Sequence, residues 1–232
     1  MTILGELLKD TPEATAPVVR RRFRAPAEPD AKLQFVTAPS IRDEQIHSLV
    51  QQLFFRHPHG PVRRVGFAPL EEPAQHARLC LEVVRVLVDE GKYDVGLIDG
   101  TVDASPLHAQ LQISLPQGGQ ARRAIAPRLW LVARDSWYQR GGLPPTEMNL
   151  ERLRELAAEF DFSVVHCPRV SWLAARIGHC CDGLVLVLTA NKTRRLVAAQ
   201  VNEQLRKAQV NVLGTVLTER RFPIPSSLYR SL

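Results

Sequence analysis

The chain has 232 residues, of which 45% are hydrophobic and 23% are charged, as in an ordinary globular protein. Its four cysteines do not show the spacing of a disulfide framework, so we expect a reducing compartment. No stretch approaches the roughly 20 apolar residues that cross a bilayer, and the N-terminus lacks a signal-peptide pattern. These totals exclude an integral membrane protein and predict a cytoplasmic one.

The formal net charge is +6, and much of the excess lies in two arginine-rich clusters, at 20–24 and at 220–230. Such clusters bind nucleic acid or an anionic membrane surface through counterion release, or they are simply solvated. Few aromatic residues are interleaved with these arginines, so stacking on single strands is not indicated. A solvated tail is therefore the favoured interpretation of these clusters.

The N-terminal residues 1–39 combine a short helical pattern with a segment rich in Pro, Ala and Glu, which predicts a tail and a linker. A domain follows over 40–232. Its apolar spacing predicts helices and strands in alternation. The helices include 41–55 and 74–91, and the strands are 62–68, 93–100, 128–133, 162–167, 182–190 and 210–218.

Continuous apolar strands that alternate with helices are typical of a parallel sheet covered on both faces. We therefore predict a doubly wound, mostly parallel α/β fold. In such folds the ligand crevice lies beyond the carboxyl ends of the strands. The segments to inspect for chemistry are 67–74, 99–108, 166–172, 190–195 and 218–225.

The C-terminal third contains three segments that resemble one known family. They are FDFSVVHCPRV, DGLVLVLTANKTRR and VNVLGTVLTERRFPIPSSLYRSL, in that order. They resemble the bacterial polysaccharide-synthesis tyrosine autokinases (BY-kinases), relatives of the P-loop ATPases MinD and ParA. The resemblance covers about 40–232 and implies a P-loop NTPase-like fold of the SIMIBI type.

The phosphate-binding loop of that family departs from its pattern here. A working loop reads GxxxxGK[ST]: glycines let backbone amides surround the phosphates, and the lysine and hydroxyl contact phosphate and Mg²⁺. Alignment on the following helix places the loop at 66–74, with Gly66 as its first glycine. Glu71 then stands in place of the second glycine and Glu72 in place of the lysine. Negative charge at both positions opposes phosphate binding.

Three other positions of the family's nucleotide site also differ. Asp99 matches the first aspartate of a metal motif, but Thr101 stands where the second is expected. Asp99 alternatively is a turn residue beside Gly100. His166 occupies the position of the Walker B aspartate, and Thr218 that of an asparagine that helps to read adenine in the relatives. An imidazole is a poor substitute for an oxygen ligand to Mg²⁺.

The resemblance implies a regulatory or scaffold protein in bacterial exopolysaccharide or capsule biosynthesis that has lost its kinase activity. Its implied partner is a membrane chain-length (copolymerase) protein or an active kinase, and a homo-oligomer stays open. No cofactor is expected; ATP with Mg²⁺ would be needed only if the chain is a weak or atypical tyrosine autokinase or ATPase, with Tyr229 as a phosphate acceptor. A ParA-like nucleic-acid-binding protein is the third alternative. The implied location is cytoplasmic, with a peripheral position at the inner face of the membrane as a variant.

Two further patterns were weighed against this interpretation. His166, Cys167 and the segment 179–181 contain metal-competent side chains, but a helix of about nine residues is predicted between them, which separates its ends by roughly 13 Å. No shared metal site is expected. The helix 41–55 either packs on the domain or contacts a partner, and it lacks the arginines with which the family's helix forms a ring.

Overall fold

The computed structural model describes residues 41–58, 60–71, 75–102, 104–114, 122–138 and 144–219. The tail and linker predicted for 1–39 lie outside them, as do the basic clusters at both ends and Tyr229. The start of the domain at residue 40 therefore stays a prediction. No helix within the described ranges is long and apolar enough to cross a membrane.

A single seven-stranded sheet forms the centre of the fold, in the order β3-β4-β2-β5-β1-β6-β7. Six of the strands run parallel, and β3 is an antiparallel edge strand paired with β4. The strands are β1 Arg64–Pro69, β2 Val95–Asp99, β3 Arg122–Ala126, β4 Leu129–Val132, β5 Phe162–His166, β6 Gly183–Thr189 and β7 Val212–Thr218. The predicted doubly wound α/β fold is confirmed, and each predicted strand is present. The sequence analysis missed β3 alone, because its five residues show no continuous apolar run.

Helices cover both faces of the sheet. They are α1 Ile41–Val50, α2 His76–Asp89, α3 Leu107–Gln110, α4 Glu147–Ala158, α5 Trp172–Cys180 and α6 Arg195–Lys207. A π-helical turn, Gln51–Phe55, continues α1. One apolar cluster joins α1 and α2 to the sheet, and a second joins α4, α5 and α6 to the opposite face.

The apolar face of α1 belongs to the first of these clusters. Ile46, Val50, Leu53 and Phe54 are buried there, and Phe54 meets Phe162 of β5 edge to face. Of the two predictions for the helix 41–55, packing within the domain accounts for this face. Phe55, the last residue of the π-helical turn, is partly exposed.

Buried apolar side chains fill the central strands, as expected for a sheet covered on both sides, whereas the edge strands β3 and β7 are only partly buried. All residues of β2 and β5 are buried, and so are five of the six residues of β1. Because these strands are parallel and adjacent, their carboxyl ends meet at one edge of the sheet. We call this edge the carboxyl edge.

Candidate functional site

Two polar residues end neighbouring strands at the carboxyl edge. Asp99 is the last residue of β2 and His166 the last of β5, and the two are directly paired in the parallel register. Side chains alternate between the faces of a strand. Val95 and Leu97 of β2 belong to the cluster under α2, so Asp99 lies on the same face of the sheet. Both polar side chains are almost fully buried.

The carboxyl group of Asp99 is bonded to the chain that follows it. Its Oδ1 accepts hydrogen bonds from the backbone N–H of Thr101 at 3.0 Å and from the Thr101 hydroxyl at 2.7 Å. Its Oδ2 accepts one from the N–H of Leu107, the first residue of α3, at 2.8 Å. Asp99 therefore organises a turn and the start of a short helix, which is the turn role among the two predicted for it.

The hydroxyl of Thr101 contributes to the same turn. It is buried and donates to Asp99, so it does not point into an open site. The position where the family has a second aspartate is thus occupied by a hydrogen-bond partner of the first.

His166 stacks on a second buried histidine, His76 of α2. Their ring centroids are 4.3 Å apart and the planes are inclined by 28°. A ring nitrogen of His76 lies 3.1 Å from the carbonyl oxygen of Phe67. Both ring nitrogens of His166 are buried without a hydrogen-bond partner among the described residues. The imidazole of His166 is therefore fixed by stacking on the ring of His76 and not by hydrogen bonds to described residues.

Burial keeps both imidazoles neutral. It lowers the pKa of His166 to about 4, although the nearby Asp99 favours the charged form. Burial also holds the pKa of His76 well below its usual value; the nearby His166 adds to this, and the hydrogen bond to Phe67 opposes it. At neutral pH the stack carries no positive charge that could attract phosphate.

A buried arginine, Arg134, fixes the segment between β2 and α3 from the side of β4. It donates from Nη1 to the carbonyl oxygens of Val102 at 3.0 Å and Ala104 at 3.2 Å. The indole of Trp137 donates to the carbonyl oxygen of Asp99 at 2.8 Å. The sequence analysis missed both residues, since an arginine and a tryptophan just after a short strand form no recognised motif.

His76 was also missed, although the sequence carried a signal for it. It precedes Cys80 by four residues and Val83 by seven, and all three are buried on α2. This spacing places them on one stripe of the helix. A histidine in an apolar stripe at the start of a helix that follows a strand end is a candidate for burial at the carboxyl edge.

The segment 66–74, which was predicted to be the phosphate loop, begins inside a strand. Gly66 lies inside β1, where a Cβ atom would come within 2.5 Å of Leu184 and 2.9 Å of Cys167, so its position is one of close packing. The chain leaves β1 after Pro69, and Glu71 is the last described residue before α2. Glu72, aligned with the lysine, lies outside the described residues.

Thr218 lies apart from Asp99 and His166. It ends β7, and three strands separate β7 from β2 in the sheet. Its hydroxyl donates to the carbonyl oxygen of Leu188 at 3.0 Å. It is therefore used within the sheet, away from Asp99 and His166.

The cysteines lie closer together than the helix length between them suggested. A Cβ at Gly66 would be 2.9 Å from the sulfur of Cys167 and 3.8 Å from that of Cys181. The two sulfurs approach because β1 lies between β5 and β6 and is reached from both sides. Burial raises the pKa of both thiols well above the usual value. In the described part of the chain, no three His, Cys, Asp or Glu side chains are grouped to hold a metal ion.

Comparisons with known proteins give structural matches only. No protein-family model matches the sequence, and no curated protein is similar to it in sequence. The kinase domain of VpsO superposes with a TM-score of 0.64 at 17% identity, covering 78% of this chain and 97% of that one. The kinase domain of the Escherichia coli tyrosine kinase ETK gives a TM-score of 0.61 at 16% identity, covering 79% of each chain.

A third solved structure belongs to the ATPase branch. The septum site-determining protein MinD of Pyrococcus horikoshii, solved with Mg-ADP, gives a TM-score of 0.54 at 15% identity and covers 73% of this chain and 76% of that one. At such identities the likeness concerns the fold. The chain thus has the P-loop NTPase-like fold shared by the bacterial tyrosine kinase domains and the MinD and ParA ATPases.

Proposed function

We propose that this chain is a regulatory or scaffold protein built on a kinase and ATPase fold, without phosphoryl-transfer activity of its own. It acts in bacterial exopolysaccharide or capsule biosynthesis and docks on a membrane chain-length protein or on an active kinase. The observation that carries the proposal is the buried stack of His76 and His166 at the strand end where the family has its Walker B carboxylate.

The residues at this edge do not fit a magnesium nucleotide. Mg²⁺ prefers oxygen ligands in an octahedral arrangement with several waters. Three hydrogen bonds occupy the two oxygens of Asp99, and the neighbouring side chain is a neutral imidazole that stacks on another ring. Phosphoryl transfer depends mainly on positioning and charge neutralisation, and little at this edge supplies either.

The phosphates would also lack their usual cation. The segment 60–80 contains no lysine, and Glu71 and Glu72 place carboxylates where the family has glycine and lysine. Two unit charges 4 Å apart interact by about 4 kcal/mol at an effective dielectric of 20, so a change of sign opposes binding strongly. Pro73 removes one amide donor from the same segment.

The assignment to polysaccharide biosynthesis and to these partners rests on the fold and on the resemblance of the C-terminal segments. The kinase domains of VpsO and ETK have the same fold, and the chain matches nearly the full length of the former. We place the protein in the cytoplasm, close to the membrane protein or kinase that it contacts.

A thermal-shift titration with Mg-ATP tests the loss of nucleotide binding. At 100 times its dissociation constant a ligand stabilises the folded state by about 2.7 kcal/mol, which raises the Tm of a chain of this size by roughly 5–10 °C. We expect no change in Tm up to millimolar Mg-ATP. A dose-dependent rise with Mg-ATP, absent with Mg²⁺ alone, would contradict the proposal and favour a weak ATPase or kinase.

Co-expression tests the docking role separately. The tagged full chain is expressed together with a polysaccharide chain-length protein or with an active kinase of this fold, and complex formation is measured by size-exclusion chromatography. We expect a stable complex with one of the two, unchanged when ATP is omitted. Failure to bind either partner would overturn the docking role and leave the nucleotide result unaffected.

A further inference from the structure

Several large apolar side chains are strongly exposed at the starts of two neighbouring helices. Trp172, the first residue of α5, is 54% exposed; Leu196 and Val197, in the first turn of α6, are 70% and 44% exposed. Burying such side chains is favourable, so leaving three of them exposed at one edge of the sheet is unfavourable for an isolated monomer. They point to a surface that is covered in use.

The starts of these two helices lie at the same edge of the sheet. α5 connects β5 to β6 and α6 connects β6 to β7, so both begin at the carboxyl edge. Side chains from both helices pack into the same apolar cluster, on the face opposite α2. The exposed residues are therefore at the same level along the strands.

Three arginines accompany the apolar side chains. Arg169 precedes α5, and Arg194 and Arg195 form the start of α6; all three are exposed. Their side chains make no ion pair or hydrogen bond with any described residue. Several other arginines on the described surface contact carboxylates, as in the pairs Arg78–Glu82 and Arg152–Glu155.

The positions of these arginines are electrostatically unfavourable without an external anion. The N-terminus of a helix carries partial positive charge, so acidic residues are preferred there and basic ones are not. The first turns of α5 and α6 contain no acidic residue, and neither helix has a side-chain hydrogen bond at its N-cap. An anionic surface placed against this edge would neutralise both the arginines and the helix ends.

We propose that this basic–apolar rim (Arg169, Trp172, Arg194, Arg195, Leu196 and Val197) docks the protein on an anionic lipid bilayer. Tryptophan, leucine and arginine together are the combination that suits the headgroup region: the apolar groups enter it, and the guanidinium groups contact lipid phosphates. The helices of the rim pack on the face of the sheet opposite to the side chains of Asp99 and His166, so this proposal stands or falls independently of the absence of kinase activity.

Vesicle binding by the full-length protein tests the proposal. Vesicles of 30% phosphatidylglycerol in phosphatidylcholine are compared with pure phosphatidylcholine in a flotation assay at increasing salt. We expect binding to the anionic vesicles alone, weakening steeply with salt as bound counterions compete. Absence of binding to the anionic vesicles at low salt would overturn the proposal.

A pair of charge-reversal variants on one helix locates the contact. Arg194→Glu/Arg195→Glu changes the rim, whereas Arg206→Glu/Lys207→Glu makes the same change in charge at the exposed far end of α6. Each basic residue near an anionic membrane contributes roughly a fivefold gain in affinity. We expect the rim variant to bind at least about tenfold more weakly than the far-end variant. Equal weakening of the two would show that net charge, not the rim, governs binding.

Tryptophan emission distinguishes the rim from the arginine clusters at the chain ends. Of the three tryptophans, Trp137 is buried and Trp130 lies within β4, so Trp172 is the one that can enter a bilayer. We expect a blue shift of emission on binding anionic vesicles that is lost in Trp172→Phe. Vesicle binding without this shift would contradict the proposal and assign the contact to another part of the chain.

A soluble acidic polymer separates a bilayer from an acidic protein as the occupant. Poly-L-glutamate offers carboxylates without an apolar layer, so we expect it to bind at least tenfold more weakly than anionic vesicles at equal charge concentration. Tight binding of poly-L-glutamate that depends on Arg194 and Arg195, with no binding to vesicles, would overturn the proposal in favour of an acidic protein partner.

Discussion

The carboxyl edge of the sheet is closed where β2 and β5 end and open where α5 and α6 begin. At the closed part Asp99, Thr101, His76 and His166 are buried and bonded or stacked with one another. At the open part, the basic–apolar rim, the arginines make no ion pair or hydrogen bond with a described residue, and Leu196 and Val197 face solvent. The exposed ring of Trp172 contacts the guanidinium group of Arg176. The carboxyl edge thus has a filled interior and an exposed surface of arginine and apolar side chains. In folds of this architecture, ligands usually bind in the crevice at this edge.

Polar groups decide this difference more than apolar ones do. β5 and β6, which lead into the closed part and into the rim, are both apolar and buried along most of their length, whereas β7, on which α6 packs, is only partly buried. At the closed part, each polar side chain has a neighbour that uses its hydrogen bonds or covers its ring. At the rim, the charges have the same sign, so the rim arginines cannot neutralise one another, and none of them pairs with a described residue.

The largest effect is expected from a substitution at the centre of the closed part. Asp99→Ala leaves the N–H of Leu107 and the N–H and hydroxyl of Thr101 without their acceptor in a buried place. We expect a loss of about 3 kcal/mol in the free energy of unfolding, measured by urea denaturation. The control is Asp89→Ala, whose side chain is exposed at the end of α2; it should change stability by less than about 0.5 kcal/mol. A stable Asp99→Ala protein would show that the turn does not need this acceptor.

A glycine pair tests the packing of β1 on the opposite face of the sheet, under α5. Gly66→Ala places a methyl group within 2.5 Å of a side-chain atom of Leu184 and 2.9 Å of the Cys167 sulfur, both of them buried. Overpacking of this kind costs about 1–3 kcal/mol. Gly214→Ala on β7 is the matched control, since a Cβ there meets nothing within 4 Å and should stabilise the strand by about 0.5 kcal/mol. Equal melting temperatures for the two variants would contradict the packing role of Gly66.

Acid should lower the free energy of unfolding through the two histidines of the closed part. The pKa of each imidazole is lowered in the folded state, that of His166 to about 4, whereas an unfolded histidine titrates near 6.5. Between these values the unfolded chain binds more protons, so stability falls as the pH falls, by on the order of 1 kcal/mol per pH unit for each imidazole. Urea denaturation between pH 7 and 4.5 measures this slope.

The double variant His76→Leu/His166→Leu isolates that contribution. Its stability should decline less between pH 6.5 and 4.5 than that of the wild type, because two of the groups that bind protons on unfolding are gone. Val83→Ala, which removes apolar contacts of α2 on the same face without removing a titrating group, is the control and should keep the slope of the wild type. An unchanged slope in the double variant would mean that the stacked histidines do not titrate on unfolding.

Much of the fold follows from the sequence, because continuous apolar runs encode the six parallel strands directly. The edge strand β3 does not, since Arg122 and Arg123 make up two of its five residues. Within the site, the sequence predicted that His166 stands in place of a carboxylate and that Thr101 replaces an aspartate. It did not predict the contacts of these residues, because His76, Trp137 and Arg134 reach the strand ends from other elements. Gly66 was interpreted as a loop residue, and only the neighbouring strands reveal that it is packed.

The smallest expected effect comes from repairing the lost cation. Glu72→Lys restores the charge that the family has at this position, and Glu71→Lys makes the same change one residue earlier. We expect neither variant to show a rise in Tm with Mg-ATP, because the lysine alone leaves Asp99 bonded to Thr101 and Leu107 and His166 stacked on His76. A nucleotide-dependent rise in Glu72→Lys, absent in Glu71→Lys, would mean that a single charge keeps the nucleotide out. The closed part would then be an intact binding site blocked at one residue, and its difference from the rim would be one of charge and not of packing.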